Sequence, residues 1–235
     1  MQEKIADKLL TLNRRFYDGF AEAFSDSRGA SEPGFERIVG QISPGAQVLD
    51  LGCGHGRLAS LLPPGSTYVG VDSSAEMLKV GEQDLQGSDV DAQFVHADIV
   101  RDRWEALLSH AFDWVVLRAV LHHIPGYENR RHVVARAAAV RAPGGRVAMA
   151  NWQFMQIERL RRRILPWSVI ALSSADVEPG DYLLDWRRQG YGIRYVHLVD
   201  QDETQRLARD TGLAIEQLFR ADGHTNDLTL YAILR

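Results

Sequence analysis

The stretch that decides the fold is residues 48–59, VLDLGCGHGRLA, where an apolar run meets three glycines. The apolar run, Ala46 to Leu51, is typical of a short buried strand. It passes directly into Gly52-Cys53-Gly54-His55-Gly56. Glycines at such a place let the backbone approach a ligand closely, and the start of a following helix offers free N–H groups. The stretch predicts a strand, a ligand-binding loop and a helix in succession.

Similar alternation continues downstream of this loop. Apolar runs predict strands at 67–71, 90–95, 112–117, 146–151 and 195–199, and a final hairpin at 214–219 and 227–234. Helical periodicity predicts helices at 3–25, 35–42, 57–62, 75–85, 129–141, 154–164 and 202–211, with Ser74 capping the fourth of them. Strands that alternate with helices indicate an α/β, doubly wound, mostly parallel sheet, and the closing hairpin makes its last strand antiparallel. The sequence therefore predicts one domain over residues 1–235, with a helical flap at 1–42 and an insertion or cap at 152–193 after the fifth strand.

The composition excludes several classes of protein. With 235 residues, 45% of them hydrophobic and 25% charged, the chain is neither disordered nor collagen-like. Cys53 is the sole cysteine, which excludes an intrachain disulfide and favours a cytoplasmic location. Charges interrupt each apolar run before the ~20 residues of a membrane helix, and the amino terminus lacks the apolar centre of a signal peptide. A net charge of −4 does not suit a globally basic nucleic-acid binder.

Two acids near the glycine loop separate the cofactor classes. Asp72 follows Gly52 by twenty residues at the end of the second strand, where an acid can accept both ribose hydroxyls. A dinucleotide loop needs a third glycine at the position of Arg57, so a dehydrogenase is the weaker reading. Asp50, two residues before the first glycine, opposes a cationic ligand better than an anionic pyrophosphate.

These features together resemble the class I S-adenosylmethionine-dependent methyltransferases, over about residues 46–235. The similar pieces are the glycine loop, Asp72, Asp98 in the sequence HAD, and Pro143-Gly144-Gly145 before the fifth strand. The resemblance implies a seven-stranded Rossmann-like sheet and S-adenosylmethionine as the cofactor. The residues that it implies around the cofactor are Asp50, Gly52 and Gly54 at the methionine part, Asp72 at the ribose, Asp98, Ile99 and Met77 at the adenine, and Leu117 and Arg118 at the floor.

Each of these residues also has a structural interpretation when taken alone. Asp72 could be an acid at a helix N-terminus, Asp98 a turn residue and Met77 a core residue. His55 faces either the cofactor or solvent. A cofactor-binding protein without catalysis is the alternative from another functional class. No spaced Cys/His cluster suggests a metal site.

Finer motifs resemble one branch, the wobble-uridine tRNA methyltransferases that esterify 5-carboxymethyluridine. The similar segments are FSDSR (24–28), AVLHHI (119–124), GRVAMANW (145–152), GDYLLDW (180–186) and RYVHLV (194–199). The resemblance implies Arg28 and His122 as catalytic acceptor-site residues, with Arg194 and His197 bordering the same cleft. It also implies tRNA as acceptor and, in part of the branch, a small activating subunit as partner.

Several alternatives remain open for the acceptor side. The acceptor could instead be a small metabolite that carries a hydroxyl, amine or carboxylate. His122 could cap the next helix, and His123 is expected to be structural. The run Arg161-Arg162-Arg163 could bind phosphate or form a solvated surface. Trp152, Trp167 and Trp186 could stack on a base or form a small core beneath the insert.

Overall fold

A seven-stranded sheet forms the centre of the protein. The computed structural model describes residues 1–20, 32–86, 90–187 and 189–235. The strands of this sheet are β1 (Gln47–Leu51), β2 (Thr67–Asp72), β3 (Asp91–His96), β4 (Phe112–Arg118), β5 (Arg141–Trp152), β9 (Ile215–Ala221) and β10 (Thr229–Leu234). They lie in the order β3-β2-β1-β4-β5-β10-β9, with β10 antiparallel to β5 and β9 and the other pairs parallel. The predicted fold class is confirmed.

Helices cover both faces of this sheet. They are α1 (Glu3–Gly19), α2 (Pro33–Val39), α3 (Ala75–Asp84), α4 (Tyr127–Ala139), α5 (Glu158–Arg161) and α6 (Gln201–Asp210). The Ser74 hydroxyl caps α3 as predicted, because it accepts a hydrogen bond from the Met77 N–H. The helix predicted at 57–62 is only a 3₁₀ turn, Ala59–Leu61. The last part of the helix predicted at 3–25 lies outside the described residues.

Strand β1 shows how the sheet divides the interior into two cores. Leu49 and Leu51 pack into the core on one face, and Val48 packs into the core on the other. All three side chains are fully buried, since a central parallel strand is covered on both faces. Because β1 is parallel to both β2 and β4, the carboxyl ends of the three strands lie at one edge of the sheet, where loops form a crevice.

The insert builds a second sheet of three antiparallel strands. These are β6 (Ile164–Leu165), β7 (Asp181–Trp186) and β8 (Gly192–His197), in that order. The strand predicted at 195–199 is thus β8, and it belongs to this small sheet and not to the central one. The helix predicted within the insert is reduced to a 3₁₀ turn at Phe154–Gln156 and the single turn of α5.

Helix α1 lies against β8 and ties the amino terminus to the insert. The buried Asn13 side chain accepts a hydrogen bond from the Tyr195 N–H at 2.8 Å and donates to the Tyr195 carbonyl at 3.1 Å. The same amide donates to the His123 carbonyl at 3.1 Å. One side chain on α1 therefore fixes both the small sheet and the loop after β4. Among the residues described, no helix combines the length and apolar character needed to cross a membrane.

Candidate active site

The glycine loop after β1 forms the floor of the first cavity. Gly52, Gly54 and Gly56 have φ angles of +71°, +58° and +72°, a region that L side chains rarely adopt. A Cβ atom on Gly52 would lie 2.5 Å from a methyl group of Val120. Glycine is therefore required at Gly52 both by the backbone angle and by the space available. Gly52 and Gly54 line the cavity, as predicted for a loop that approaches a ligand.

Asp72, at the end of β2, lies directly beside this loop. Its carboxylate accepts hydrogen bonds from the Gly54 N–H at 2.8 Å and from the Ser74 N–H at 2.9 Å. Burial raises the pKa of Asp72, and the backbone N–H groups lower it in part. The Ser74 hydroxyl donates in turn to Asp18 of α1 at 2.7 Å. The acid is held in place by backbone on two sides, and it lines the cavity at the point predicted for a ribose.

The opposite end of the cavity is built by the loop after β3. Asp98 and Ile99 line it, with Met77 contributing from α3. The Asp98 carboxylate accepts from the Val100 N–H at 2.9 Å and from Arg14 of α1 at 2.7 Å. Asp98 is therefore held in the cavity wall both by the backbone of its own loop and by α1.

Helix α1 forms a further part of the cavity wall. Its Leu10, Asn13, Arg14 and Tyr17 side chains line the same space as the glycine loop. The sequence predicts a flap over 1–42 but not which of its residues reach the site. Helical periodicity brings Leu10, Asn13, Arg14 and Tyr17 to one side of α1, because residues three and four apart share a face.

Two residues predicted around the cofactor lie outside this cavity. Asp50 is buried on the far face of β1, where its carboxylate accepts a hydrogen bond from the Tyr68 hydroxyl at 3.0 Å. Burial raises the pKa of Asp50 to about 7. Leu117 is fully buried in the core, because neighbouring residues of a strand point to opposite faces and Arg118 takes the side that lines the cavity.

The first cavity fits S-adenosylmethionine by the chemistry of its donors and its shape. Its empty space, counted to the open mouth and including solvent, is about 1050 Å³. Asp72 would hold ribose hydroxyls, and Ile99 and Met77 would contact the adenine. Gly52 and Gly54 would leave room for the methionine part. The described residues contain no group of three or more His, Cys, Asp or Glu side chains able to hold a metal ion.

A second cavity adjoins the first one. The two share Arg118, Ala119 and His123 in their walls. The wall of the second cavity comes from the end of β4 and its following loop, β5, α5, β7, β8 and the β9–β10 hairpin. It includes the buried His122, Trp186 and Arg194 and the half-buried Trp152. Arg118 is already paired here, since its Nε donates to the Glu32 carboxylate at 3.0 Å. His122 and Arg194, both predicted at the acceptor, lie in this cavity.

Arg194 is the unusual group of the second cavity. It is only 8% exposed, and its guanidinium carbon lies 5.1 Å from the Trp152 ring, 5.6 Å from the Trp186 ring and 5.5 Å from the Phe16 ring. Its Nε is buried with no hydrogen-bond partner, and in the part of the chain described here the guanidinium forms no ion pair. A buried, uncompensated cation is costly unless a ligand supplies the counter-charge.

A hydrogen-bonded pair, Tyr17 and His123, lies between the two cavities. The His123 Nδ1 contacts the Tyr195 carbonyl at 3.2 Å, so Nδ1 carries the hydrogen. The Tyr17 hydroxyl then donates to His123 Nε2 at 2.6 Å. The sequence predicts a structural role for His123 and gives no signal for Tyr17. The distance of 106 residues between the two partners gives no local sequence signal for this pair.

His197 does not border the cleft that holds Arg194. The two residues are three positions apart on β8, an odd separation, so their side chains leave opposite faces of the strand. His197 is buried between Asp181 at 2.6 Å and Glu203 at 2.7 Å, and these hydrogen bonds raise its pKa against the effect of burial. Arg28, the other predicted catalytic residue, lies outside the described residues.

The fold, with its crevice at the carboxyl ends of β1, β2 and β4, is that of a doubly wound ligand-binding domain, and comparison with known proteins identifies the family. Residues 48–145 match the family model of a methyltransferase domain. A ubiquinone biosynthesis O-methyltransferase from Thiobacillus denitrificans is 30% identical over 177 residues, 74% of this chain and 67% of that protein. The chain belongs to the S-adenosylmethionine-dependent methyltransferases, whose cofactor is S-adenosylmethionine.

Other similar proteins differ in what they act on. A tRNA (carboxymethyluridine(34)-5-O)-methyltransferase from Arabidopsis thaliana is 29% identical over 59% of this chain, and the match spans 32% of that protein. The chain therefore matches only about a third of the length of this curated relative. The crystal structure of an S-adenosylmethionine-dependent methyltransferase from Clostridium acetobutylicum aligns with a TM-score of 0.66 at 12% identity, covering 94% of this chain and 96% of that one. At that identity the likeness concerns the fold.

Proposed function

We propose that this protein transfers a methyl group from S-adenosylmethionine to a carboxylate, and that the carboxylate belongs to the carboxymethyl group of a modified tRNA wobble uridine. The observation that carries the proposal is Arg194, a buried cation enclosed by Phe16, Trp152 and Trp186 in the cavity beside the cofactor site. An arginine in such a place binds a carboxylate strongly, because the interaction is charge-assisted and little water competes with it.

The chemistry of methyl transfer explains why these residues suffice. The cofactor supplies an electrophilic methyl group on a sulfonium sulfur, and a carboxylate can attack such a carbon without first losing a proton. The protein therefore needs to align and desolvate the acceptor rather than to remove a proton. Arg194 holds the acid, while the rings of Trp152 and Trp186 exclude water and offer flat faces to a base.

Two site assignments complete the proposal for the cofactor cavity and the acceptor cavity. Asp72, Asp98, Ile99, Met77 and the loop glycines bind the cofactor, in agreement with the cavity that they line. On the acceptor side, His122 and Arg118 join Arg194 in the wall of the second cavity. The likeness to the plant tRNA methyltransferase supports the choice of a carboxymethyl acceptor.

Labelling with tritiated methyl groups tests this function. We expect label in tRNA that carries 5-carboxymethyluridine, and its release as volatile methanol under mild alkali, because a methyl ester hydrolyses readily. The matched control is the same tRNA with unmodified uridine at the wobble position, which should stay unlabelled. Absence of label in the modified tRNA would refute the tRNA acceptor, and alkali-stable label would refute the carboxylate.

A small molecule with a hydroxyl group is the second candidate acceptor. The pair of Tyr17 and His123 favours it, since a neutral imidazole with Nε2 as acceptor can receive a proton by way of the tyrosine hydroxyl. This candidate predicts an alkali-stable ether product and label in small phenols. The same labelling experiment, run with a panel of phenols and carboxylic acids, separates the two candidates.

A further inference from the structure

The wall of the second cavity carries more arginines than acids. Its wall contains Arg118, Arg159, Arg163 and Arg194, together with the acids Glu32, Asp185 and Asp222. Each acid accepts at least one hydrogen bond, although Asp185 Oδ1 is buried with no partner among the described residues. Glu32 accepts from Arg118, and Asp185 accepts from Arg187 at 2.6 Å. Asp222 accepts from the Gly34 N–H at 2.9 Å and from the Tyr231 hydroxyl.

Two further arginines stand in this wall, Arg159 exposed and Arg163 half-buried. Across the ranges that the structure describes, neither Arg159 nor Arg163 forms an ion pair or a side-chain hydrogen bond. They are four residues apart, at the single turn of α5 and just after it, so their side chains emerge on one side of the chain. Their neighbours differ, because Arg162 pairs with Glu158, and neither Arg161 nor Arg162 reaches the cavity. Of the four arginines in residues 159–163, Arg159 and Arg163 therefore line the cavity, and Arg161 and Arg162 face solvent.

We infer that the methyl acceptor carries a phosphate in addition to its acid group, and that Arg159 and Arg163 bind this phosphate at the mouth of the second cavity. The inference rests on the proposed carboxylate acceptor, since it takes Arg194 as the partner of the acid. A phosphate suits the pair because its oxygens can accept from two guanidinium groups at once. A nucleotide, free or within RNA, combines such a phosphate with a flat ring for Trp152 and Trp186. An unphosphorylated acid would leave both arginines unused.

Calorimetry with the whole protein, saturated with S-adenosylhomocysteine, tests the inference. The probes are 5-carboxymethyluridine and its 3′- and 5′-monophosphates. We expect one monophosphate to bind at least about 10-fold more tightly than the nucleoside, as one charge-assisted contact contributes roughly 1.5–3 kcal/mol. The double variant R159A/R163A should lose this gain, whereas the matched control R161A/R162A, from the same arginine run, should keep it. Equal binding of nucleoside and both monophosphates, or a gain that survives in R159A/R163A, would overturn the inference.

Two further arms separate the sources of the phosphate and the two proposals. An anticodon stem-loop that binds at least 10-fold more tightly than the monophosphate indicates RNA, and equal affinity indicates a free nucleotide. If none of the carboxymethyl compounds binds, the proposed acceptor is wrong. In that case, titration with inorganic pyrophosphate tests the phosphate site separately from the proposed acceptor. Binding that weakens at least 10-fold in R159A/R163A and not in R161A/R162A supports the site, and unchanged binding in R159A/R163A overturns it.

Discussion

The two cavities are neighbours but are built in different ways. The cofactor cavity draws most of its wall from residues 52–124, and its acids are already satisfied, Asp72 by two N–H groups and Asp98 by Arg14. The acceptor cavity takes its wall from segments spread between Glu32 and Tyr231, and Arg194 within it has no ion-pair partner among the residues that the structure describes. The difference teaches that the first cavity is complete without its ligand, whereas the second depends on its ligand for electrostatic balance.

The largest effect should follow from Asp72→Ala in the cofactor cavity. The change removes two hydrogen bonds from backbone N–H groups and the predicted ribose contact. Each of the two ribose hydroxyls would donate one hydrogen bond to the carboxylate, worth roughly 1.5–3 kcal/mol. Affinity for S-adenosylhomocysteine should therefore fall by at least about 100-fold. Calorimetry gives the affinity, and Asp98→Ala serves as the comparison at the other end of the cavity. Unchanged affinity in Asp72→Ala would show that the ribose lies elsewhere.

Arg194→Met tests the electrostatic imbalance of the acceptor cavity. Removal of the charge-assisted contact should lower kcat/KM for the acidic acceptor by about 30-fold, with affinity for S-adenosylhomocysteine unchanged. Because the cation is buried without a counter-charge, Tm should stay constant or rise. Thermal unfolding and methyl-transfer kinetics on the same preparation check both expectations. A large fall in Tm would mean that Arg194 stabilises the fold rather than the acceptor.

Asp50 lies on β1, the strand that leads into the glycine loop, and its buried carboxyl makes the stability of the protein depend on pH. Its pKa of about 7 in the folded protein lies above the usual 3.8, so the folded state binds more protons than the unfolded state between these values. The stability contributed by Asp50 therefore falls as pH rises through 7, by about 1.4 kcal/mol between pH 6 and pH 8. Asp50→Asn should lack this decrease. Urea unfolding at both pH values measures it, and equal pH slopes in the variant and wild type would contradict it.

Tyr17→Phe has the smallest expected effect, and it probes the boundary between the cavities. Loss of the hydrogen bond to His123 should cost about 1 kcal/mol, or some 5-fold in kcat/KM, when the acceptor is a carboxylate. A hydroxyl acceptor would suffer a loss of about 100-fold or more, because the proton route is removed. Steady-state kinetics with each class of acceptor distinguishes these outcomes. The size of the loss in kcat/KM therefore also shows whether the acceptor is a carboxylate or, as in the second candidate function, a hydroxyl group.

The cofactor cavity could be predicted from sequence because its signals are local. Gly52, Gly54 and Asp72 belong to one strand–loop–helix unit and its neighbour, where backbone angle and spacing restrict the residue type. Leu117 and Asp50 failed to line the cavity for a simple reason. Side chains alternate between the faces of a strand, and the sequence pattern alone does not say which face the cavity occupies.

The acceptor cavity was predicted only in part, because its contacts join distant segments. Arg194 was found by resemblance, but its three ring neighbours come from α1, β5 and β7. The small sheet that carries it was missed, since β6 has only two residues and β7 carries the buried acids Asp181 and Asp185. The sequence puts His197 in the cleft of Arg194 and Leu117 in the cofactor cavity, and both expectations are wrong for one reason. Side chains alternate between the two faces of a strand, and each of these residues points to the other face.

Asn13 has a further consequence for how the protein avoids aggregation. Strand β8 is an outer strand of the small sheet, and such a strand exposes unpaired N–H and C=O groups to which another chain could add. The Asn13 amide pairs with both groups of Tyr195 and so imitates the backbone of a missing neighbouring strand. A helix side chain thereby protects a sheet edge at its middle, and α1 acts as a guard against edge-to-edge association.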